Sequence, residues 1–399
     1  MPHRPVLVRV LIAASVTLGL VVTAVPSGAA EPRWIRDIER TVRGHDVSVA
    51  IGFDGRWLYR HDARSARPPA SNQKLVFSMA LLQRTSLSDR IRTSVYATGA
   101  RAEGRLGGNL WIVGRGDPEA DTATMRALAR AIADGGLRRI RGRVMAATTG
   151  FRRDWWAPGW KDYFPAVYIP LPTALTYEGN EDARGVNIRD PERRAARSLT
   201  NRLEALGVRV TGDPGTGATP GDRRLIASHA SDPFEALILR MNRHSRNFYA
   251  EVLGKWLGRR MFGGRGSIAK GARAIEAFGA NHGATVRAYD ASGLSYSNRL
   301  RAQDVVELLW FANSRPWGEA LRFSLPSGNR GTLGGRLGDV RVRAKTGTLI
   351  EVSALSGWVW MEEAADWAQF SIMSQGMSKG ESIVIEDRIV RILANRGSP

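Results

Sequence analysis

Residues 68–75 read PPASNQKL and set Ser71 and Lys74 three positions apart just beyond a proline pair. The chain holds 52 arginines and only six lysines, so a lysine here departs from its habit. Leu75, Val76, Met79 and Leu82 recur at helical spacing, while Phe77, Ala80 and Leu81 make the segment apolar nearly all round. Such a helix is buried. Positions i and i+3 share a helix face, so hydroxyl and amine can touch. A serine hydroxyl is a weak nucleophile until a base takes its proton. Desolvation lowers a lysine pKa enough for that task, whereas arginine stays protonated in any protein environment. A removable proton is what this position asks for.

The spacing alone is weak, since Ser267-Ile268-Ala269-Lys270 repeats it. Two motifs further along the chain single out Ser71. Ser245-Arg246-Asn247 supplies Ser-x-Asn, and Lys345-Thr346-Gly347 comes after the alternating strand VRVRA (340–344). The Ser267 copy lacks such company, because the later Ser327-Gly328-Asn329 sits in a Pro/Gly turn. Other tempting residues have plainer readings. His244 reads as a surface histidine, Asp117 as a turn residue, and Trp155, Trp156 and Trp160 as core of an inserted segment rather than a sugar-stacking surface.

The 399-residue length suits two domains, or one large domain with an insertion, and the 43% apolar fraction suits a packed core. Arg4 and Arg9 precede a 16-residue uncharged run (10–25) and small residues ending at Ala30, the layout of a secretory signal over 1–30. The expectation is an exported, extracytoplasmic protein in periplasm, cell wall or at the membrane surface. Cysteine is absent, which excludes disulfides and thiolate chemistry, and six scattered histidines offer no zinc spacing. No metal or cofactor is called for. Net charge is +20, of which Arg4 and Arg9 supply two. Export argues against nucleic acid as the partner and points to anionic cell-wall polymers or lipid headgroups.

Residues 47–60 alternate around Asp54-Gly55, a hairpin signal. Helices are expected at 122–134, 190–207, 232–258 and 382–396, strands at 353–361 and 367–375, and a linker at 212–222. Strands at both ends imply one sheet closed by the two termini of the mature chain. That places a main domain over 31–94 and 223–399, with 95–222 inserted.

The ordered motifs resemble serine penicillin-binding proteins of the D-Ala-D-Ala carboxypeptidase/endopeptidase type, the low-molecular-mass class C group known as peptidase family S13. The likeness extends to GNLWIVGRGDP (108–118), HSRNFYAE (244–251), DASGLSYSNRL (290–300), SLPSGNRGTL (324–333) and RAKTGTLIEVSALSG (343–357). It implies an α+β penicillin-binding (DD-peptidase/β-lactamase-like) fold, an antiparallel sheet with flanking helices plus an inserted α/β domain. It further implies hydrolysis of D-Ala-D-Ala bonds in peptidoglycan stem peptides and acylation by β-lactam antibiotics. By this resemblance Ser71 is the nucleophile and Lys74 its base. Ser245, between Lys74 and Lys345, relays a proton to the leaving amine, and Asn247 holds the substrate amide. Lys345, Thr346 and Thr348 receive the terminal carboxylate, Gly347 admits the substrate to the strand, and the N–H groups of Ser71 and Thr348 form the oxyanion hole. Alternatives are a serine β-lactamase, or a non-catalytic basic wall-binding protein of the same fold.

Overall fold

The computed structural model describes residues 31–396; the export signal read at 1–30 lies outside the described residues. Helix α1 (Arg33–Val42) leads into the hairpin β1 (Val47–Phe53) and β2 (Arg56–His61). The Asp54-Gly55 turn has φ of 49° and 70°, the paired positive φ that two-residue hairpins favour. Strand β3 (Ala66–Arg67) and one 3₁₀ turn (Ala70–Asn72) deliver the chain to α2 (Gln73–Leu82), all of whose residues are buried.

A second sheet comes next, built from β4 (Arg90–Ala97), β5 (Arg101–Ala102), β6 (Arg105–Leu106), β7 (Leu110–Val113), β8 (Arg139–Ala147), β9 (Arg209–Gly217) and β10 (Arg224–Pro233). Strands β10, β4 and β7 pair antiparallel, while β7 with β8 and β8 with β9 are parallel. Helices α3 (Thr122–Asp134) and α5 (Pro191–Ala205) bury Leu128, Ile132, Leu199 and Leu203 against it. The short α4 (Phe164–Val167) lies in the excursion between β8 and α5. This sheet starts at Arg90 and ends at Pro233. The sequence-read border at 95 therefore falls inside its first strand, and that at 222 falls just before its last. The linker expected at 212–222 is half strand, because Pro214 falls at a register shift in the pairing of β9 with β8. Proline is tolerated at such irregularities.

The chain then returns through α6 (Phe234–Arg243), α7 (Asn247–Phe262) and α8 (Ile268–Asn281). Strand β11 (Leu300–Arg301) pairs with β3, and α9 (Ala302–Asn313) and α10 (Gly318–Ser324) come after it. Strands β12 (Val342–Leu349), β13 (Val352–Met361) and β14 (Asp366–Gln375) precede the last helix, α11 (Lys379–Ala394). The main sheet runs β12-β13-β14-β1-β2 and is antiparallel throughout, so the N-terminal hairpin completes a sheet begun by the C-terminal strands. Alternation decides its two faces. Val49, Ile51, Leu355 and Ile372 pack under α1 and α11, whereas Ala50, Ala354, Trp358 and Met373 face the cluster around α2. Each large apolar side chain so buried contributes roughly 1.5–3 kcal/mol. Among the described residues, no helix is long and apolar enough to cross a membrane.

The single helix expected at 232–258 is two. Helix α6 ends in a double cap, with Arg246 N donating to Met241 O at 3.0 Å and Ser245 N to Asn242 O at 3.3 Å. Between them Ser245 takes a left-handed φ of 53°, the place usually held by glycine.

Candidate active site

The nucleophile turn is clamped by two glycines. Ala70, fully buried, has a φ of 46°, a conformation that costs an L-residue roughly 1–2 kcal/mol. A Cβ on Gly293 would stand 1.9 Å from Ala70 O, and one on Gly347 would stand 2.8 Å from Pro69 O. The sequence reading gave Gly347 to substrate approach; its close neighbour in the structure is the backbone that carries Ser71. Asn72 Nδ2 also donates to Ser356 Oγ at 2.7 Å, tying the turn to β13.

Lys74 Nζ donates to Ser71 Oγ at 3.0 Å, to Asn247 Oδ1 at 2.7 Å and to Ser292 O. Burial pushes its pKa down to about 7, against the upward pull of Asp290 and Glu251. An amine so placed is free in a substantial fraction of molecules near neutrality and can then accept the Ser71 proton. Lys345 is also fully buried and donates to Ser245 Oγ at 2.9 Å and Thr346 O at 2.8 Å. Burial, then the neighbouring Lys74 and Lys379, holds its pKa well below the ordinary lysine range. Ser245 was expected to bridge both lysines. Among the described residues its hydroxyl meets Lys345, while the third Lys74 bond goes to the Ser292 carbonyl.

That carbonyl belongs to a loop the sequence reading left without a role. Glu251 Oε1 accepts from Ala291 N at 2.8 Å and Ser292 N at 2.7 Å. Burial lifts the Glu251 carboxyl to about 8. Asp290, fully buried, accepts from Gly293 N, Ser295 N, Asn298 Nδ2 and Trp160 Nε1 at 2.7–2.9 Å. The signal was present as the polar run DASGLSYSN, but a loop has no periodicity that says what it grips. The tryptophans expected in the inserted core divide. Trp160 packs with Ala157, Phe164 and Ile169 of that segment and also with Ile268 and Leu294 of the main domain, and Trp156 is exposed.

Ser71, Ser245, Asn247, Thr346 and Thr348 line one cleft of about 700 Å³. Tyr163, Phe164, Tyr168 and Tyr296 form its aromatic wall, and Lys379 stands at its far side. A larger cavity of about 870 Å³ touches Tyr168 and Asn247 but not Ser71. Thr346 Oγ lies 2.6 Å from Thr332 Oγ, and Thr348 is exposed to the cleft. The structure thus brings all eight sequence-read residues into one region.

Two look-alikes are helix caps. Ser267 Oγ accepts from Lys270 N at 3.2 Å at the start of α8, and Lys270 Nζ turns away to Gly263 O. Gly376-Met377-Ser378-Lys379-Gly380 has the Gly-x-Ser-x-Gly form of a nucleophile elbow, yet Ser378 Oγ accepts from Glu381 N and caps α11.

The sequence profile of the D-Ala-D-Ala carboxypeptidase 3 (S13) family matches residues 38–181 and 169–396. The chain belongs to this family. It is a serine-type carboxypeptidase with a penicillin-binding α+β fold, acting on peptidoglycan. It is 28% identical to the D-alanyl-D-alanine carboxypeptidase of Actinomadura sp. (strain R39), over 90% of this chain and 82% of the relative. Penicillin-binding protein 4 of Haemophilus influenzae superposes with a TM-score of 0.80 at 18% identity, covering 90% of this chain and 99% of that one. A penicillin G-acylated predatory endopeptidase of Bdellovibrio bacteriovorus superposes at 0.52 and 15% identity, covering 87% and 90%. At those identities the structural matches bear on the fold.

Proposed function

We propose that this S13 carboxypeptidase works outside the cytoplasm through an acyl-enzyme on Ser71, and that β-lactams acylate the same oxygen. The carrying observation is the 3.0 Å contact between Ser71 Oγ and a buried Lys74 whose pKa is pushed down to about 7. Ser71 Oγ attacks the carbonyl carbon between the two D-alanines as its proton passes to Lys74. The C–N bond then breaks, and the leaving amine takes a proton from the Ser245 hydroxyl, which Lys345 replenishes. In deacylation, water adds to the ester carbonyl and returns a proton to Lys345 through Ser245, and Lys74 reprotonates Ser71. Asn247 both fixes Lys74 and offers its amide to the substrate backbone. A β-lactam complex of the Haemophilus influenzae penicillin-binding protein 4 and the penicillin G-acylated endopeptidase, both fold relatives, support the β-lactam step. Arg4, Arg9 and the uncharged run behind them support export, and the net charge of +18 on residues 31–399 supports retention by anionic cell-wall polymers or lipid headgroups.

The test is intact-mass analysis after penicillin treatment. Wild type is expected to gain one penicillin mass that persists for minutes, and Ser71→Ala to gain none. An adduct on Ser71→Ala removes Ser71 from the mechanism. Turnover of penicillin within seconds makes the protein a β-lactamase instead.

A further inference from the structure

A cation at the cleft surface strengthens the hold of hydroxyl donors on the terminal carboxylate of a D-Ala-D-Ala peptide, and Lys345 is not there. It is fully buried, with two of its three N–H donors spent on Ser245 Oγ and the Thr346 carbonyl. Neither Lys345 nor Lys74 lines the cleft. The cations that do are Arg336 and Lys379. Arg336 is already committed, its guanidinium donating to Asp387 Oδ1 at 2.7 and 3.0 Å and to Glu386 Oε2 at 2.7 Å. Lys379 is not. Its nearest carboxylate oxygen, Glu386 Oε1, lies 3.9 Å away and accepts from Ser353 Oγ at 2.5 Å.

Register puts Lys379 beside the threonines. Residues two apart on a strand share a face, so Thr346 and Thr348 present their hydroxyls together. Thr348 pairs directly with Ser353 across β12 and β13, and directly opposed residues also share a face. Lys379 Nζ donates to that Ser353 Oγ at 2.5 Å and lies 3.4 Å from Gly347 O. An ammonium has three donors, so one is left for the cleft, where a third of the side chain is exposed. Its placement also breaks a local rule. Lys379 is the first residue of α11, where the helix dipole disfavours a cation. A broken local rule of this kind points to a function.

We propose that Lys379, together with the Thr346 and Thr348 hydroxyls, receives the substrate's terminal carboxylate and so sets the preference for a free C-terminus. The inference rests on the reading of the Ser71 cleft as the reaction site. Lys345 is then the proton partner of Ser245, and Lys379 is the electrostatic anchor.

The experiment compares a diacyl-L-Lys-D-Ala-D-Ala peptide with its C-terminal carboxamide, on wild type, Lys379→Met and Lys379→Arg, with melting curves for each. A charge-assisted contact of this kind is worth roughly a ten- to hundredfold change. Lys379→Met is expected to lose that much kcat/KM on the carboxylate peptide, chiefly in KM, and to stay within about twofold of wild type on the carboxamide. Lys379→Arg is expected to recover part of the loss. Equal loss on both peptides makes Lys379 a staple between α11 and β13 and overturns the proposal, as does no loss on either. A wild type that neither cleaves peptide nor takes up penicillin overturns the cleft reading as well, so the two failures are distinct.

Discussion

Lys74 shows how much one side chain's surroundings decide. Its ammonium is removed from water on every side, and removal from water disfavours the charged form. Asp290 and Glu251 oppose that effect but do not cancel it, and the balance is a pKa of about 7. This balance fixes the sign of the pH dependence. Below about pH 7 Lys74 holds its proton and cannot take the one on Ser71; above it the amine is free. The second-order rate of acylation by a penicillin is therefore expected to fall about tenfold per pH unit below 7 and to level off above it. Stopped-flow labelling across pH 5–9 measures this, and a flat profile rejects Lys74 as the base. Lys74→Arg keeps a cation that never deprotonates, so acylation is expected to drop by about 10²–10⁴ above pH 7, with the gap to wild type narrowing as the pH falls.

Among elements, the break between α6 and α7 matters most to the site. Helix α6 ends in a cap that calls for glycine, and the chain supplies Ser245 instead. The left-handed conformation aims the hydroxyl at Lys345, and the backbone cap onto Met241 O and Asn242 O holds its strain. Ser245→Gly and Ser245→Ala both remove the hydroxyl, and both are expected to lose about 10²–10⁴ in peptide turnover. Their stabilities should differ. Glycine escapes strain of roughly 1–2 kcal/mol but adds chain entropy when unfolded, leaving it about 0.5–1 kcal/mol more stable than alanine. Urea unfolding of the two variants measures that gap. The same break explains where the sequence was and was not readable. Strong periodicity announced α3, β13, β14 and the hairpin nearly to the residue, and the three motifs announced the site residues. A serine in a glycine's place gave no stop signal, so two helices read as one. Glu251 and Lys379 were illegible for another reason, since their partners arrive from elements distant in sequence, and Asp290 was illegible because it grips an irregular loop of its own and the distant Trp160.

At the scale of the molecule, Tyr163, Phe164 and Tyr168 of the cleft's aromatic wall come from the inserted segment, while Tyr296 and the nucleophile come from the main domain. Among the ties between the two is a buried lysine. Lys255 on α7 donates to Arg152 O at 3.1 Å, Asp154 O at 2.9 Å and Pro172 O at 3.0 Å, and pairs with Asp154 Oδ1 at 2.7 Å. These contacts bracket residues 152–172, the stretch that carries Tyr163, Phe164 and Tyr168. Trp160 adds a further tie through its bond to Asp290, at the loop that grips Lys74. Lys255→Met keeps the length and apolar bulk but strands a carboxylate and three carbonyls. Breaking a buried pair in this way costs up to about 3–5 kcal/mol. The variant is expected to melt lower, and its losses should be unequal. A stem peptide needs the aromatic wall, so its KM should rise. Penicillin acylation depends chiefly on Ser71 and Lys74, so it should change less. Measuring both rates below the variant's melting temperature separates these effects. A proportionate fall in the two would mean that Lys255 supports the whole fold equally and not the wall in particular.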